Sequence, residues 1–292
     1  MVTFSSALSK IDRTARFSRK IGIRSAIAVE MSRRAINSTQ NAKLVRLTMP
    51  GFPAPVYLRG GTSDVQTFIQ IILDEEYDMR STPQFRKLDG LYRKAGADGR
   101  RPLIIDCGAN IGLSAIWFSL QFPEAQILAV EPAADNIEIA KLNLHAYPNV
   151  TLLQGAVWDR PSQLKISDTT VSPWAYQVTE SQDHVSVKLD SALKTFTISE
   201  LMDAANEHEV LIAKIDIEGA EANLFRSNIE WVRRAHLIAI ELHDWMLPDQ
   251  RTSTPSFDQS QISISNCFSE GKTCLCFFMD WLINSRWFML RR

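Results

Sequence analysis

Short apolar runs recur through the middle of the chain, and each ends in a charged residue or a glycine. Residues 103–105, 126–130, 150–154, 210–215 and 237–242 have the length and composition of strands buried on both faces of a parallel sheet. Between them, apolar residues fall at helical spacing over 114–122, 137–145 and 199–205, with a shorter helix over 221–226. Alternating strand and helix predicts a doubly wound, Rossmann-like α/β sheet of seven strands, mostly parallel. Residues 163–189 break this rhythm with polar–apolar alternation, which reads as two or three antiparallel strands inserted before the fourth parallel strand. Asp190-Ser191 caps the short run 192–194.

Upstream of the sheet, residues 56–58 read as a short strand and Gly60-Gly61 as a turn. Thr62 or Ser63 caps a helix from 64 to about 75. Arg59 and Asp64 flank this turn, either to close a site or merely to cap the helix. The polar stretch 80–99, with Gly90, Gly96 and Gly99, reads as a connector. Two basic helices, 7–21 and 25–36, precede all of this. The expected division is a basic helical extension (1–50), a strand, helix and connector (51–100), a core (101–248) and an atypical tail (249–292).

Composition bounds the picture. With 292 residues and 45% hydrophobic content, the chain suits one α/β domain with additions. A net charge of −1 gives no general attraction to nucleic acid or membranes. The charge is uneven: residues 1–50 hold ten Lys/Arg against Asp12 and Glu30, a net of +8. That segment lacks the apolar core of a signal peptide; its Arg- and Ser-rich character also resembles a transit peptide. The favoured reading is helices that cover the domain or grip an anionic partner. No apolar run reaches the roughly 18 residues of a membrane-spanning helix. Cys107, Cys267, Cys274 and Cys276 form no disulfide framework, and no fourth ligand completes zinc-like spacing around Cys274 and Cys276. Reduced thiols and a cytoplasmic protein are expected.

Candidate chemistry collects at the strand ends, where open α/β sheets bind ligands. The first strand stops at Asp106 and enters a turn with Gly108, Asn110 and Gly112. This D-x-G-x-N-x-G pattern departs from the G-x-G-x-x-G of dinucleotide sites, since Asn110 stands where the second glycine would admit a pyrophosphate. A ligand with an ammonium and a carboxylate suits Asp106 and the turn amides better, and S-adenosylmethionine is one. Glu131, just past the second strand, is placed to take both ribose hydroxyls. Asp135-Asn136 caps the following helix, and Asn136 is counted with the cofactor-binding residues. After the third strand, Ala156, Val157 and Trp158 offer an apolar cover for an adenine. Asp216 and Glu218 end the fourth strand and face the same crevice; Glu221 suits a first helical turn. Of the five histidines, His243 alone lies just past a parallel strand.

These residues carry a resemblance. D-C-G-A-N-I-G-L-S-A from Asp106, V-E-P from Val130, K-I-D-I-E-G-A-E from Lys214 and I-E-L-H-D-W from Ile240 look like the FkbM family of S-adenosylmethionine-dependent methyltransferases. Gly61 to Asp64, with Glu76-Tyr77-Asp78 after it, is similar to that family's N-terminal pattern. The resemblance extends from about residue 56 to about residue 255. It implies a class I methyltransferase fold and methylation of a hydroxyl on a sugar, a glycolipid-like molecule or a polyketide. Asp106, Gly108, Asn110 and Gly112 would cradle the methionine moiety. A neutral hydroxyl needs a general base; His243 is the first choice, Glu218 the second, and Asp216 lies between cofactor and acceptor. A metal held by Asp216, Glu218 and Asp244 is a weaker alternative.

The tail departs from the family. Residues 248–265 read as a polar loop, Ser269 to Lys272 only echoes the family's closing turn, and 273–278 reads as a strand. The aromatic-rich 277–292 would dock on the core, pair two copies or rest on a membrane surface; oligomeric state stays open. Two rival readings remain: an NAD-dependent oxidoreductase, disfavoured by the missing fingerprint, and a catalytically degenerate S-adenosylmethionine-binding module.

Overall fold

The computed structural model describes residues 15–34, 44–162, 164–167, 177–180, 193–207, 209–217, 220–241, 264–270, 273–279 and 285–291, with backbone alone at 33–34, 165–167, 177–180, 222 and from 264 onward. In chain order the elements are α1 (Ile23–Arg34), β1 (Leu44–Leu47), β2 (Val56–Arg59), α2 (Asp64–Phe68), α3 (Pro83–Ala97), β3 (Leu103–Cys107), α4 (Leu113–Gln121), β4 (Gln126–Glu131), α5 (Ala134–Leu144) and β5 (Val150–Gln154). There follow β6 (Ala156–Val157), β7 (Leu164–Ser167), β8 (Gln177–Glu180), β9 (Thr195–Phe196), α6 (Ile198–Ala204), β10 (Val210–Ile215), α7 (Glu221–Leu224) and β11 (Ala235–Glu241). Three strands close the chain: β12 (Ile264–Glu270), β13 (Thr273–Met279) and β14 (Ser285–Arg291).

The main sheet runs β12-β13-β14-β11-β10-β3-β4-β5. From β14 to β5 every pairing is parallel; β12 and β13 pair antiparallel at the far edge. The doubly wound, Rossmann-like architecture is therefore present. Side-chain alternation explains why these strands read as unbroken apolar runs. Leu103, Ile105 and Cys107 of β3, with Val130, Ala213 and Ile240, pack under α6 and Trp231. Ile104 of β3, with Ile127, Ala129, Ile212 and Ala239, packs on the opposite face against Ile116 and Phe118 of α4. By the same alternation Asp106, Glu131 and Lys214 share that second face at the strands' carboxyl ends.

Several expectations are corrected. The sheet has eight strands instead of seven, because the tail supplies three: the run at 285–291 becomes β14 instead of a docking segment. The polar stretch 80–99 is mostly helix, α3. Thr82 accepts from Phe85 N at its start and Pro83 occupies the first turn, a start signal that outweighs two solvent-facing glycines. Ser63 precedes α2 without a side-chain cap bond, and α2 widens into a π-helical turn, Ile69–Leu73. Asp135 and Asn136 lie inside the first turn of α5, whose cap position is Ala133. The insertion contains the antiparallel pair β7–β8, and Leu193, expected in a capped run, bridges Leu164. Among the described residues no helix is long and apolar enough to cross a membrane.

Asn143 helps fasten the N-terminal unit, α1 to α2, to the sheet domain, beside the apolar core that the two share. Asn143 of α5 accepts from Tyr57 N (2.7 Å) and donates to Tyr57 O (3.1 Å), replacing a strand neighbour for β2, and also donates to Ile111 O (2.8 Å). The amide is 1% exposed. Replacing it with an apolar isostere strands three backbone groups, so Asn143→Leu is expected to lower unfolding free energy by about 2–4 kcal/mol in urea denaturation. A loss below about 0.5 kcal/mol, the scale of an ordinary surface change, would contradict this role.

Candidate active site

The glycine turn after β3 is set by what surrounds it. Gly108 has φ +82°, and a Cβ there would collide with the Asp216 carbonyl oxygen, so only glycine fits. Gly108 N and Ala109 N donate to Val130 O at 3.0 and 2.9 Å, and Asp216 N donates to Cys107 O at 3.1 Å. The turn is thus wedged between the ends of β4 and β10. Gly112, at φ +85°, turns the chain into α4 beside Leu144.

Beneath the turn lies a buried ionic cluster. Lys214 pairs with Asp106 across adjacent strands, with Nζ 3.1 Å from Asp106 Oδ1, 3.4 Å from Asp216 Oδ2 and donating to Gly108 O at 2.5 Å. Ser114 Oγ donates to Asp106 Oδ2 at 2.5 Å. Burial alone would depress the lysine, but the charges of Asp106 and Asp216 outweigh it and hold the ammonium well above its ordinary pKa. Burial pushes the neighbouring Cys107 thiol up, so it stays a neutral packing group.

This arrangement corrects the direct role expected of Asp106. Its side chain is fully buried and committed to Lys214 and Ser114, and neither Asp106 nor Gly112 lines the cleft. Both support the turn from outside the cleft. Lys214 was missed as a site residue, although one lysine within the apolar run 210–215 is itself a signal: a buried cation requires an acidic partner.

Above the turn a cleft, open to solvent, is lined by Gly108, Asn110, Glu131, Asn136, Asp216 and Ile217, with an apolar wall that includes Val130, Pro132 and the stretch Ala156–Val157–Trp158. Glu131 is 4% exposed. Its Oε1 accepts from Ala133 N and Asn136 Nδ2, both at 3.0 Å, and its Oε2 accepts from Asn110 N at 2.9 Å. A carboxylate offers about four acceptor positions, so Oε2 keeps one. Burial pushes Glu131 above the usual carboxylate range, opposed by these hydrogen bonds and by the charge of Lys214.

The wall is braced from behind. Ala156 N donates to Lys194 O and Trp158 N to Phe196 O, both at 2.9 Å. Asp159 then accepts from Ser227 Oγ at 2.7 Å, tying the wall to the chain after α7. On the opposite side Arg59 pairs with Asp64 and reaches Asp135 and Asn136, so the Asp64 carboxylate serves Arg59 and not a helix cap.

Of the residues singled out from sequence, the structure brings Gly108, Asn110, Glu131, Asn136, Ala156 and Asp216 to one cleft. His243, Glu218 and Asp244 lie outside the described residues. The ionic cluster yields a prediction. Lys214→Met leaves Asp106 charged and unpaired, and should cost about 3–5 kcal/mol of stability. The double substitution Lys214→Met/Asp106→Leu should recover much of that in the same urea titration; equal losses in both would contradict the pairing.

Comparison with known proteins bears on this geometry. Residues 106–262, more than half of the chain, match the model of the methyltransferase FkbM domain. The methyltransferase sdnD of Sordaria araneosa is 44% identical over 43 residues, which is 15% of this chain and 17% of that protein's length. A Pyrococcus horikoshii crystal structure, provisionally described as an RNA methyltransferase, aligns over 90% of this chain and 95% of its own, at 9% identity and a TM-score of 0.30. So loose a superposition bears on neither fold nor activity. The matched span holds the glycine turn, Glu131, the apolar wall and Lys214-Ile215-Asp216, and the chain belongs to the FkbM methyltransferase family.

Proposed function

We propose that the protein transfers a methyl group from S-adenosylmethionine to a hydroxyl oxygen of a small acceptor, a sugar, glycolipid-like or polyketide-like molecule. The observation that carries this reading is Glu131: a buried carboxylate with one open acceptor position, set between the glycine turn and an apolar wall. The residues present suit the cofactor. The backbone of Gly108 and Asn110 gives close approach to a methionine moiety, and no side chain at 108 intrudes. Asp216, which lines the cleft, supplies a carboxylate for its ammonium in place of the buried Asp106. Glu131 Oε2 accepts from a ribose hydroxyl, and Ala156, Val157 and Trp158 cover the purine.

When bound, S-adenosylmethionine supplies a sulfonium-activated methyl that passes in line to the acceptor oxygen. The protein's part is to hold both reactants in register and to remove the hydroxyl proton. His243 serves as the base because its ordinary pKa is near neutrality; Glu218 is the second candidate.

Titration calorimetry with S-adenosylmethionine tests the cofactor. Wild type should bind, and Glu131→Ala should weaken binding about tenfold or more, the ~1.4 kcal/mol scale of one charge-assisted hydrogen bond. Absence of binding by folded wild type would remove the proposal. For the base, His243→Ala should lower turnover on a hydroxylated acceptor by about 10²–10⁴-fold with cofactor affinity unchanged. Full activity of that variant after EDTA treatment would eliminate both the histidine base and the metal alternative.

A further inference from the structure

Glu131 is reached from the N-terminal unit by an unbroken chain of side chains. Arg59 donates from Nε to Asp64 Oδ2 and from Nη2 to Asp64 Oδ1, both at 2.9 Å, and its backbone N–H adds a third bond to Oδ2 at 2.8 Å. Asp64 is fully buried, so the guanidinium plane is fixed by a rigid partner. Its outward donors then meet α5: Nη1 reaches Asp135 Oδ2 at 2.9 Å, and Nη2 reaches Asn136 Oδ1 at 2.6 Å. From the other end of that amide, Asn136 Nδ2 donates to Glu131 Oε1 at 3.0 Å.

The order of donors and acceptors along this chain has a chemical consequence. An asparagine side chain is nearly symmetric in shape but has one accepting end and one donating end. Arg59 has only donors. Turning the amide over would set NH₂ against guanidinium and oxygen against carboxylate, two unfavourable contacts instead of two good ones. Arg59 thereby decides which end of Asn136 meets Glu131.

We propose that Arg59 is a positioning residue for cofactor binding: through Asn136 it orients Glu131, although Arg59 does not line the cleft. This rests on reading Glu131 as the ribose acceptor. The Asn136 bond is the largest of the influences that oppose burial at Glu131. The charged groups around the carboxylate are Lys214 on β10, its partners Asp106 on β3 and Asp216 after β10, and the Arg59–Asp135 pair at α5. Lys214 favours the charged form but stands apart from the amide chain. A ribose hydroxyl donates best to an ionised carboxylate, so affinity falls as pH drops through the Glu131 pKa. Loss of the Asn136 bond raises that pKa and moves the fall to higher pH.

The experiment is calorimetric titration of S-adenosylhomocysteine, from mildly acid to mildly alkaline pH, into full-length wild type, Arg59→Met, Arg59→Lys and Asn136→Asp. Arg59→Met should bind about tenfold more weakly at neutral pH, with its acid limb shifted upward, and Arg59→Lys should regain part of the loss. Asn136→Asp separates positioning from tethering. It strengthens the link to Arg59 yet cannot donate to Glu131 when ionised, so the protein should fold, bind weakly and show the largest shift. It also decides the matter if Arg59→Met fails to fold. Wild-type affinity and an unmoved acid limb in Asn136→Asp would overturn the proposal. Failure of wild type to bind at all would instead remove the ribose reading on which it rests.

Discussion

The site depends on one buried cation. Lys214 sits inside an otherwise apolar strand and neutralises Asp106 on the adjacent strand, while donating to the carbonyl of Gly108. Removed from water, neither charge is tolerable alone; together they bind the β3 and β10 strand ends from beneath. The turn above them presents its backbone to the cleft, and Asp216, two residues beyond Lys214, is brought to the rim. The acid at the end of β3 is committed to Lys214 and Ser114, whereas the acid after β10 lines the cleft.

A second constraint comes from the other flank. The N-terminal unit contributes the fixed guanidinium of Arg59 and receives the amide of Asn143. The cleft is thus framed by three parts of the fold: strand ends with their ionic cluster, an N-terminal unit that reaches Glu131 through Asn136, and the braced wall at Ala156–Trp158. Each fixes one class of contact, polar, charged or apolar, that a small ligand with all three characters requires. The FkbM methyltransferase identity of the chain agrees with that composition.

The strands that build the frame were legible because burial on both faces leaves no polar positions, and the gathering of Gly108, Asn110 and Glu131 at one cleft was legible because they follow the carboxyl ends of adjacent strands. Asp106 misled for a physical reason: sequence shows an acid at a strand end but not which neighbour has claimed its charge. The neighbour, Lys214, lies 108 positions away and is identifiable only through strand register. The helix α3 was obscured by glycines whose cost its capping threonine and first-turn proline offset. Of the tail strands, β13 was legible over 273–278, whereas β14 was not, because its place is set by parallel pairing with β11 at the sheet's edge.

The most direct test of the account is the structure of the protein in complex with S-adenosylhomocysteine. A ribose hydroxyl is expected at hydrogen-bonding distance, about 2.6–3.0 Å, from Glu131 Oε2, with the purine against Ala156–Trp158 and the amino group toward Asp216. Density for the ligand elsewhere on the protein, or a ribose whose hydroxyls face away from Glu131, would contradict it.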